Sequence, residues 1–221
     1  MPRTARNVVD GFFYHVLNRG NRKQKVFHKD LDYRAFIELM EKAKEKVPMR
    51  IYAYCLMPNH YHFLLSPQKA EYLSQWMHWL KTVHASRYHH HYETCGHIWQ
   101  SRFKNIPVQD DEHLISILRY VEGNPVRSSL VRSAQEWPWS SHLYSLGKNS
   151  SLLLDAPPLQ FPSDWGEFVN HTMQARDLGE LREAVAHNLP FGDKDWKREI
   201  SAKYGIKSYK KKPGRPKKQI G

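Results

Sequence analysis

The sequence predicts an α+β fold in which helices pack on one small antiparallel sheet. Three observations carry that prediction. Short stretches rich in aromatic and β-branched residues read as strands, and two of them are joined by the tight Pro58-Asn59 turn. The segments between them space apolar residues at helical intervals. Their order, β-α-β-β-α-β-α, is that of a ferredoxin-like layer.

Each element has its own signal. Phe12 to Leu17 reads as a strand and ends at the turn Asn18-Arg19-Gly20-Asn21. Residues 30–46 repeat apolar side chains at Ala35, Phe36, Leu39, Met40 and Ala43, with Asp30 as the expected N-cap. Arg50 to Met57 and His60 to Ser66 form the expected hairpin. Residues 69–92 give a long helix through Leu73, Trp76, Leu80, Val83 and Tyr88. Gly96 to Val108 reads as a short strand pair or extended ribbon, and residues 111–123 as a helix stopped by Gly123-Asn124-Pro125. Trp137 to Leu146 adds a further expected helix. Residues 148–163, with Asn, Ser and three prolines, read as a linker. Helical stretches are expected at Trp165–Arg176, Leu178–His187 and Asp193–Tyr204, a C-terminal helical extension over 164–206. From Lys207 the chain is too polar to fold alone, so 207–221 is expected to be a disordered basic tail.

Composition excludes several classes. The 221 residues suffice for one domain with a proper core plus appendages. The longest apolar runs are far too short to span a bilayer, and the N-terminus leads into no hydrophobic signal core. Two cysteines rule out a disulfide scaffold and fit a reducing cytosol. Lys plus Arg is 34 against 22 Asp plus Glu, a net +12. Residues 1–25 hold six basic residues and one acid, and residues 207–221 hold seven and none, which leaves 21 of each sign between. Basic arms around a balanced body imply a polyanionic partner, nucleic acid before others.

The chemistry concentrates in two places. In Pro58-Asn59-His60-Tyr61-His62-Phe63, strand alternation projects His60 and His62 from one face and Tyr61 and Phe63 from the other. Two imidazoles on a rigid strand make a two-ligand metal site, or two ordinary polar residues on an exposed face. In the helix over 111–123, Leu114, Leu118 and Val121 mark the core side, whereas His113, Ser116, Tyr120 and Asn124 gather on another. On the residues alone, Tyr120 and Asn124 read first as a packing tyrosine and a helix-ending asparagine. The run His89-His90-His91 points its rings about 100° apart on a helix and is a polar face, not a metal cluster.

Together these elements resemble a known family. His60-Tyr61-His62 matches the His-hydrophobe-His signature of HUH single-strand endonucleases. The segments Tyr54–His62, Gly96–Phe103, Arg119–Arg127 and Trp137–Ser141 resemble the REP-associated tyrosine transposases of the insertion-sequence superfamily. The resemblance runs from about residue 10 to 146. It implies the HUH endonuclease fold over a 1–147 transposase/nuclease domain. It also implies that Tyr120 is the nucleophile and that His60, His62 and Asn124 hold a divalent ion, Mg²⁺ or Mn²⁺. The activity implied is cutting and rejoining of single-stranded DNA near hairpins such as repetitive extragenic palindromes, through a 5′-phosphotyrosine. Imidazole suits Mn²⁺ better than Mg²⁺, and no cysteine-rich set favours structural zinc.

The remaining expectations concern partners. Arg19, Arg22 and Lys23 form a basic loop suited to phosphates. Trp99, Arg102 and Lys104 interleave with Phe103 as base-stacking sites do, with core packing of Trp99 the alternative. Arg215 and Lys217 lie in Lys212–Lys218, which resembles a minor-groove hook or a plain electrostatic tail. The partner is single-stranded or hairpin DNA, with no membrane and no small-molecule cofactor. A cytoplasmic, nucleoid-associated protein is expected, and both monomer and homodimer stay open. A domesticated hairpin-binding protein without cleavage is the alternative function. A histidine-triad hydrolase is disfavoured, because Leu64 stands where a third alternating histidine is needed.

Overall fold

The computed structural model describes residues 7–208. Four strands, β1 (Phe13–Arg19), β2 (Met49–Met57), β3 (His60–Pro67) and β4 (Lys104–Val108), form one antiparallel sheet in the order β2-β3-β1-β4. Helices α1 (Asp30–Lys46) and α2 (Ala70–Tyr92) connect β1 to β2 and β3 to β4, and pack against each other. This is the expected ferredoxin-like layer.

Both faces of the sheet are covered, so the strands read as nearly continuous apolar runs. Tyr14, Val16, Ile51, Leu56, Tyr61, Phe63 and Leu65 join Phe36, Met40, Trp76 and Leu80 in the core under α1 and α2. Ala53, Cys55, Met57, Leu64, Ile106 and Val108 form a second core with Leu114, Ile117, Leu118 and Val121 of α3 (Glu112–Glu122). Between Ile51 and Ala53 the β2–β3 register shifts. Tyr52 and Ala53 consequently both face the α3 side, the effect of one extra residue in a strand.

After α3 come α4 (Asn124–Arg127), α5 (His142–Ser145), α6 (Trp165–Asn170), α7 (Ala175–His187) and α8 (Lys194–Tyr204). Trp165, Val169, Leu181, Ala184 and Phe191 extend the second core. Both sheet edges are taken up within the chain. Leu56 N–H donates to the Trp139 carbonyl (2.8 Å) and Ser141 N–H to that of Tyr54 (2.9 Å), while Phe191 N–H donates to Pro107 O (2.8 Å). Among the described residues no helix is long and apolar enough to cross a membrane.

Several local expectations are corrected. Lys29, not Asp30, is the N-cap of α1, and Asp32 reaches back to accept the N–H groups of His28 (2.8 Å) and Lys29 (3.2 Å). Residues 96–103 form no strand pair. One bridge joins Trp99 to Gly20, and only Lys104–Val108 is a strand. Trp137–Ser141 is not helical, because its backbone is drawn along the edge of β2; only His142–Ser145 makes a helical turn. The helix expected over 165–176 stops at Asn170. The helices at 30–46, 69–92 and 111–123 agree with expectation to within a residue.

His84 of α2 sits against the rings of Phe27, Phe36 and Trp99. Burial, assisted by Arg87, holds its imidazole down at about 3. The unfolded chain therefore takes up a proton below about pH 6.5 that the folded chain refuses. The stability is full above that pH and falls as acid approaches the folded value. One such histidine gives a slope of about 1.4 kcal/mol per pH unit. His84→Leu is expected to flatten the acid limb of urea-unfolding stability by about one proton; an unchanged slope would contradict a buried neutral imidazole.

Candidate active site

β3 places His60 and His62 on its α3-facing side, because Tyr61 and Phe63 are needed in the opposite core, where both are fully buried. His62 is 4% exposed and His60 half-buried. The two rings lie 5.0 Å apart between centroids, at 81°. Burial, with Arg19 nearby, lowers the His60 imidazole to about 4. His62 falls well below its ordinary value through burial, then through His60, His15 and Arg127. Both are therefore neutral at pH 7 and carry a lone pair.

The lone pair of His60 can be assigned to one nitrogen. Asn59 Nδ2 donates to the Lys23 carbonyl (3.1 Å), which orients the amide and turns its Oδ1 toward His60 Nδ1 at 2.6 Å. Nδ1 carries the proton, and Nε2 is left as a free donor atom. His62 Nδ1 is likewise engaged, 2.8 Å from Nε2 of the fully buried His15 on β1.

Helix α3 brings Tyr120 onto this face. Its apolar stripe packs on the sheet, and Asp111 caps its start by accepting His113 N–H (2.8 Å). Tyr120 is half-buried at the rim of that stripe. Its ring stands edge-on to His62 and to His15, at 5.7 Å from each. The Arg127 guanidinium lies 4.1 Å over the Tyr120 ring and donates to the Tyr120 carbonyl. Burial lowers Arg127 to about 10, which leaves it protonated at neutral pH. Asn124 is buried at the first position of α4, after Gly123 ends α3, and its Oδ1 accepts from Ser128 Oγ (3.4 Å).

The C-terminal end of α3 is pinned by Glu122. Its side chain is fully buried and accepts from Ser141 Oγ (2.7 Å), Ser145 Oγ (2.5 Å), His142 Nδ1 (2.8 Å) and Trp165 Nε1 (2.9 Å). One carboxyl group thus ties the helix bearing Tyr120 to the segment along β2 and to α6.

Among the residues expected to meet DNA, Arg19 is cross-strand from His60. The loop with Arg22 and Lys23 is latched to the β2–β3 turn: Gly20 N–H donates to Asn59 O (2.7 Å) and Val26 N–H to Pro58 O (2.8 Å). A side chain at position 20 would lie 2.4 Å from the Gln24 carbonyl, so only glycine fits. Two expected contacts are engaged within the fold, although both also border the groove that holds Arg102. Trp99 is 6% exposed and packed by Phe27, Tyr61 and His84, so core packing takes it. Lys104 Nζ donates to the carbonyls of Val185 (2.8 Å) and Ala186 (3.2 Å), where it closes the end of α7. Arg215 and Lys217 lie outside the described residues. Arg102 is exposed and lines a groove of about 1480 Å³ with Asn21, Lys81, His97 and Lys207. Among the described residues, none lining it is acidic.

Sequence reasoning missed His15 and Arg127 as site residues. His15 was within reach of it: laying β1 antiparallel to β3 puts His15 and His62 on one face. Arg127 follows a helix break, and no periodicity carries across it. Among the described residues, the one group of three His, Cys, Asp or Glu side chains with donors close enough for one ion is Asp111-Glu112-His113, away from the histidine pair.

The fold is similar to that of a REP-associated tyrosine transposase solved bound to a REP hairpin. The TM-score is 0.56 at 20% identity, covering 74% of this chain and 96% of that one. A REP-associated tyrosine transposase of Escherichia coli K12 is 24% identical over 139 residues, 61% of this chain and 78% of the relative. A Haemophilus influenzae protein assigned the same name is 28% identical over 133 residues, 55% of this chain and 69% of that protein. These likenesses define a DNA-processing enzyme of the tyrosine transposase class. The chain belongs to the IS200-like transposase family, whose model matches residues 8–124.

Proposed function

We propose that this transposase cuts and rejoins single-stranded DNA beside a hairpin, with Tyr120 as the nucleophile. The observation that carries the reading is the setting of Tyr120: its ring meets the His15–His62 pair edge-on, and a half-buried cation lies over it. The relatives' names and a structural neighbour bound to a REP hairpin support hairpin DNA as the substrate class.

Tyr120 gives up its phenolic proton to solvent as its oxygen attacks phosphorus and forms a new P–O bond to the 5′-phosphate. The P–O3′ bond breaks, and solvent returns one proton to the leaving oxygen, which becomes a 3′-hydroxyl. Attack by a 3′-hydroxyl on the phosphotyrosine runs the same exchange backwards. The number of phosphodiester-type bonds is unchanged, so rejoining needs no external energy. Arg127 holds positive charge beside the nucleophile throughout. Arg19, Arg22 and Lys23 sit at the His60 end and hold flanking phosphates, while the acid-free groove accommodates strand leading away from the site.

The chemistry of the donor set suits a divalent ion: His60 Nε2 is unprotonated and has no partner among the described residues, His62 is neutral, and Asn124 would add a neutral oxygen. His60, His62 and Asn124 would hold Mg²⁺ or Mn²⁺, which would supply Lewis-acid polarisation of a phosphoryl oxygen.

The test incubates the protein with labelled hairpin oligonucleotides carrying single-stranded flanks, in Mn²⁺, Mg²⁺ or EDTA. A denaturing gel is expected to show a metal-dependent covalent adduct. Binding without adduct in any metal would replace this reading with a hairpin-binding protein. For the basic loop, each of Arg22→Ala and Lys23→Ala is expected to reduce the slope of log affinity against log salt by roughly 0.7–0.9. Slopes unchanged in both would remove that loop from the DNA interface.

A further inference from the structure

We infer that His15 is a positioning residue for His62, holding it in the tautomer whose Nε2 is unprotonated. The inference rests on the metal reading above, since presenting a lone pair matters only to a ligand. It concerns a residue that neither the His-x-His pattern nor the helix motif contains.

The observation is a short, fully buried contact between two imidazoles. His15 Nε2 and His62 Nδ1 are 2.8 Å apart, with the ring planes within 14° and 5.1 Å between centroids, the near-coplanar edge-to-edge arrangement that an in-plane N–H···N bond needs. One proton must lie between these nitrogens, and it belongs to one ring or the other. If His15 donates, His62 Nδ1 accepts, and the proton of neutral His62 sits on Nε2, where it blocks ligation. If His62 donates, its Nε2 carries the lone pair. The second arrangement matches His60, whose Nδ1–H is held by Asn59 Oδ1. Each histidine of the pair would then spend its Nδ1–H on a partner built into the fold and present Nε2. Buried partners on the far nitrogen commonly fix ligand histidines in this way.

His15 is available for nothing else. It is fully buried, and among the described residues its Nδ1 has no hydrogen-bond partner, so accepting from His62 leaves it with a buried, unpaired Nδ1–H. A buried polar nitrogen left unpaired costs stability, and an apolar side chain on β1 would avoid that cost. The ring is also too distant in its geometry to complete a three-imidazole cluster: among the described residues, the histidines of β1 and β3 do not bring three donor atoms together. Among the described residues its one polar contact is His62. The Tyr120 ring packs edge-on to both imidazoles at 5.7 Å and closes the pair from the α3 side.

The first measurement needs no variant. Long-range ¹H–¹⁵N correlation spectra of the metal-free protein, with His62 assigned by His62→Gln, report which ring nitrogen of His62 is protonated. A protonated Nδ1 and unprotonated Nε2 are expected. His15→Leu removes the acceptor and is expected to shift His62 toward the other tautomer and weaken Mn²⁺ binding roughly 10–100-fold by calorimetry. His15→Gln keeps an acceptor at similar reach and is expected to restore both readouts to within a few-fold. A proton on Nε2 of His62 in the wild type would overturn the inference, as would a His15→Leu protein whose His62 tautomer and Mn²⁺ affinity are unchanged. A wild type with the expected tautomer that binds no Mn²⁺ would overturn the metal reading and leave the role of His15 in setting the tautomer standing.

Discussion

Tyr120→Phe is expected to abolish covalent capture of hairpin-flanking DNA and leave DNA binding intact. The ring of phenylalanine keeps the edge-on contacts with His15 and His62 and the guanidinium of Arg127 above it. Only the attacking oxygen is removed. The melting temperature should shift by no more than about 4 °C, the equivalent of roughly 1 kcal/mol for a chain of this size. Adduct formation should fall by at least about 10³-fold, as it does when a nucleophile is deleted from a site that is otherwise whole. Band-shift affinity for the same oligonucleotide should stay within a few-fold. An adduct that persists in Tyr120→Phe would mean that the class of reaction is right and another residue attacks.

The second large effect is on the scaffold beneath that tyrosine. Glu122→Ala is expected to destabilise the fold by roughly 3–5 kcal/mol, because the loss strands buried donors of Ser141, His142 and Trp165 together with that of Ser145. For a chain of this length that lowers the melting temperature by on the order of 10 °C. Glu122→Gln keeps one carbonyl oxygen but turns an NH₂ group against two donors, and should lie between the two. Urea unfolding measures both. A loss below about 1 kcal/mol for Glu122→Ala would show that water replaces the carboxyl and that the junction is not a closed polar network. Glu122 is two residues from Tyr120 and two from Asn124. Activity lost in Glu122→Gln at temperatures where the protein is fully folded would therefore report misplacement of α3.

Much of the fold was legible because its signals are local. The helix periods at 30–46 and 69–92 and the Pro58-Asn59 turn specify a hairpin and two crossover helices, and the ferredoxin-like order leaves few ways to arrange them. The alternation His60-Tyr61-His62-Phe63 was legible because two apolar cores compete for a strand, and aromatic rings settle which side each residue takes. The failures come from non-local demands. Trp137–Leu146 has helical composition, yet the open hydrogen bonds of the β2 edge draw its backbone straight. Trp99 and Lys104 border the basic groove as the interleaved pattern suggests, but the sequence does not show that the aromatic core takes up the ring of one and the end of α7 the ammonium of the other. Glu122 follows Leu118 by one turn at the edge of the apolar stripe, and its charge gives no local reason for burial. It is buried because α6, more than forty residues later, closes over it with Trp165. Within the site, His60 and Tyr120 were visible from their segments, whereas the contact between His15 and His62 exists only once β1 lies beside β3.

The central claim is that a DNA 5′-phosphate is transferred to one particular side chain. The most direct measurement is mass spectrometry of the trapped adduct after nuclease and protease digestion. The expected result is a nucleotide remnant on the peptide that contains Tyr120, with fragmentation placing it on that residue. A remnant on any other tyrosine, or on a serine or histidine, would contradict the assignment of the site.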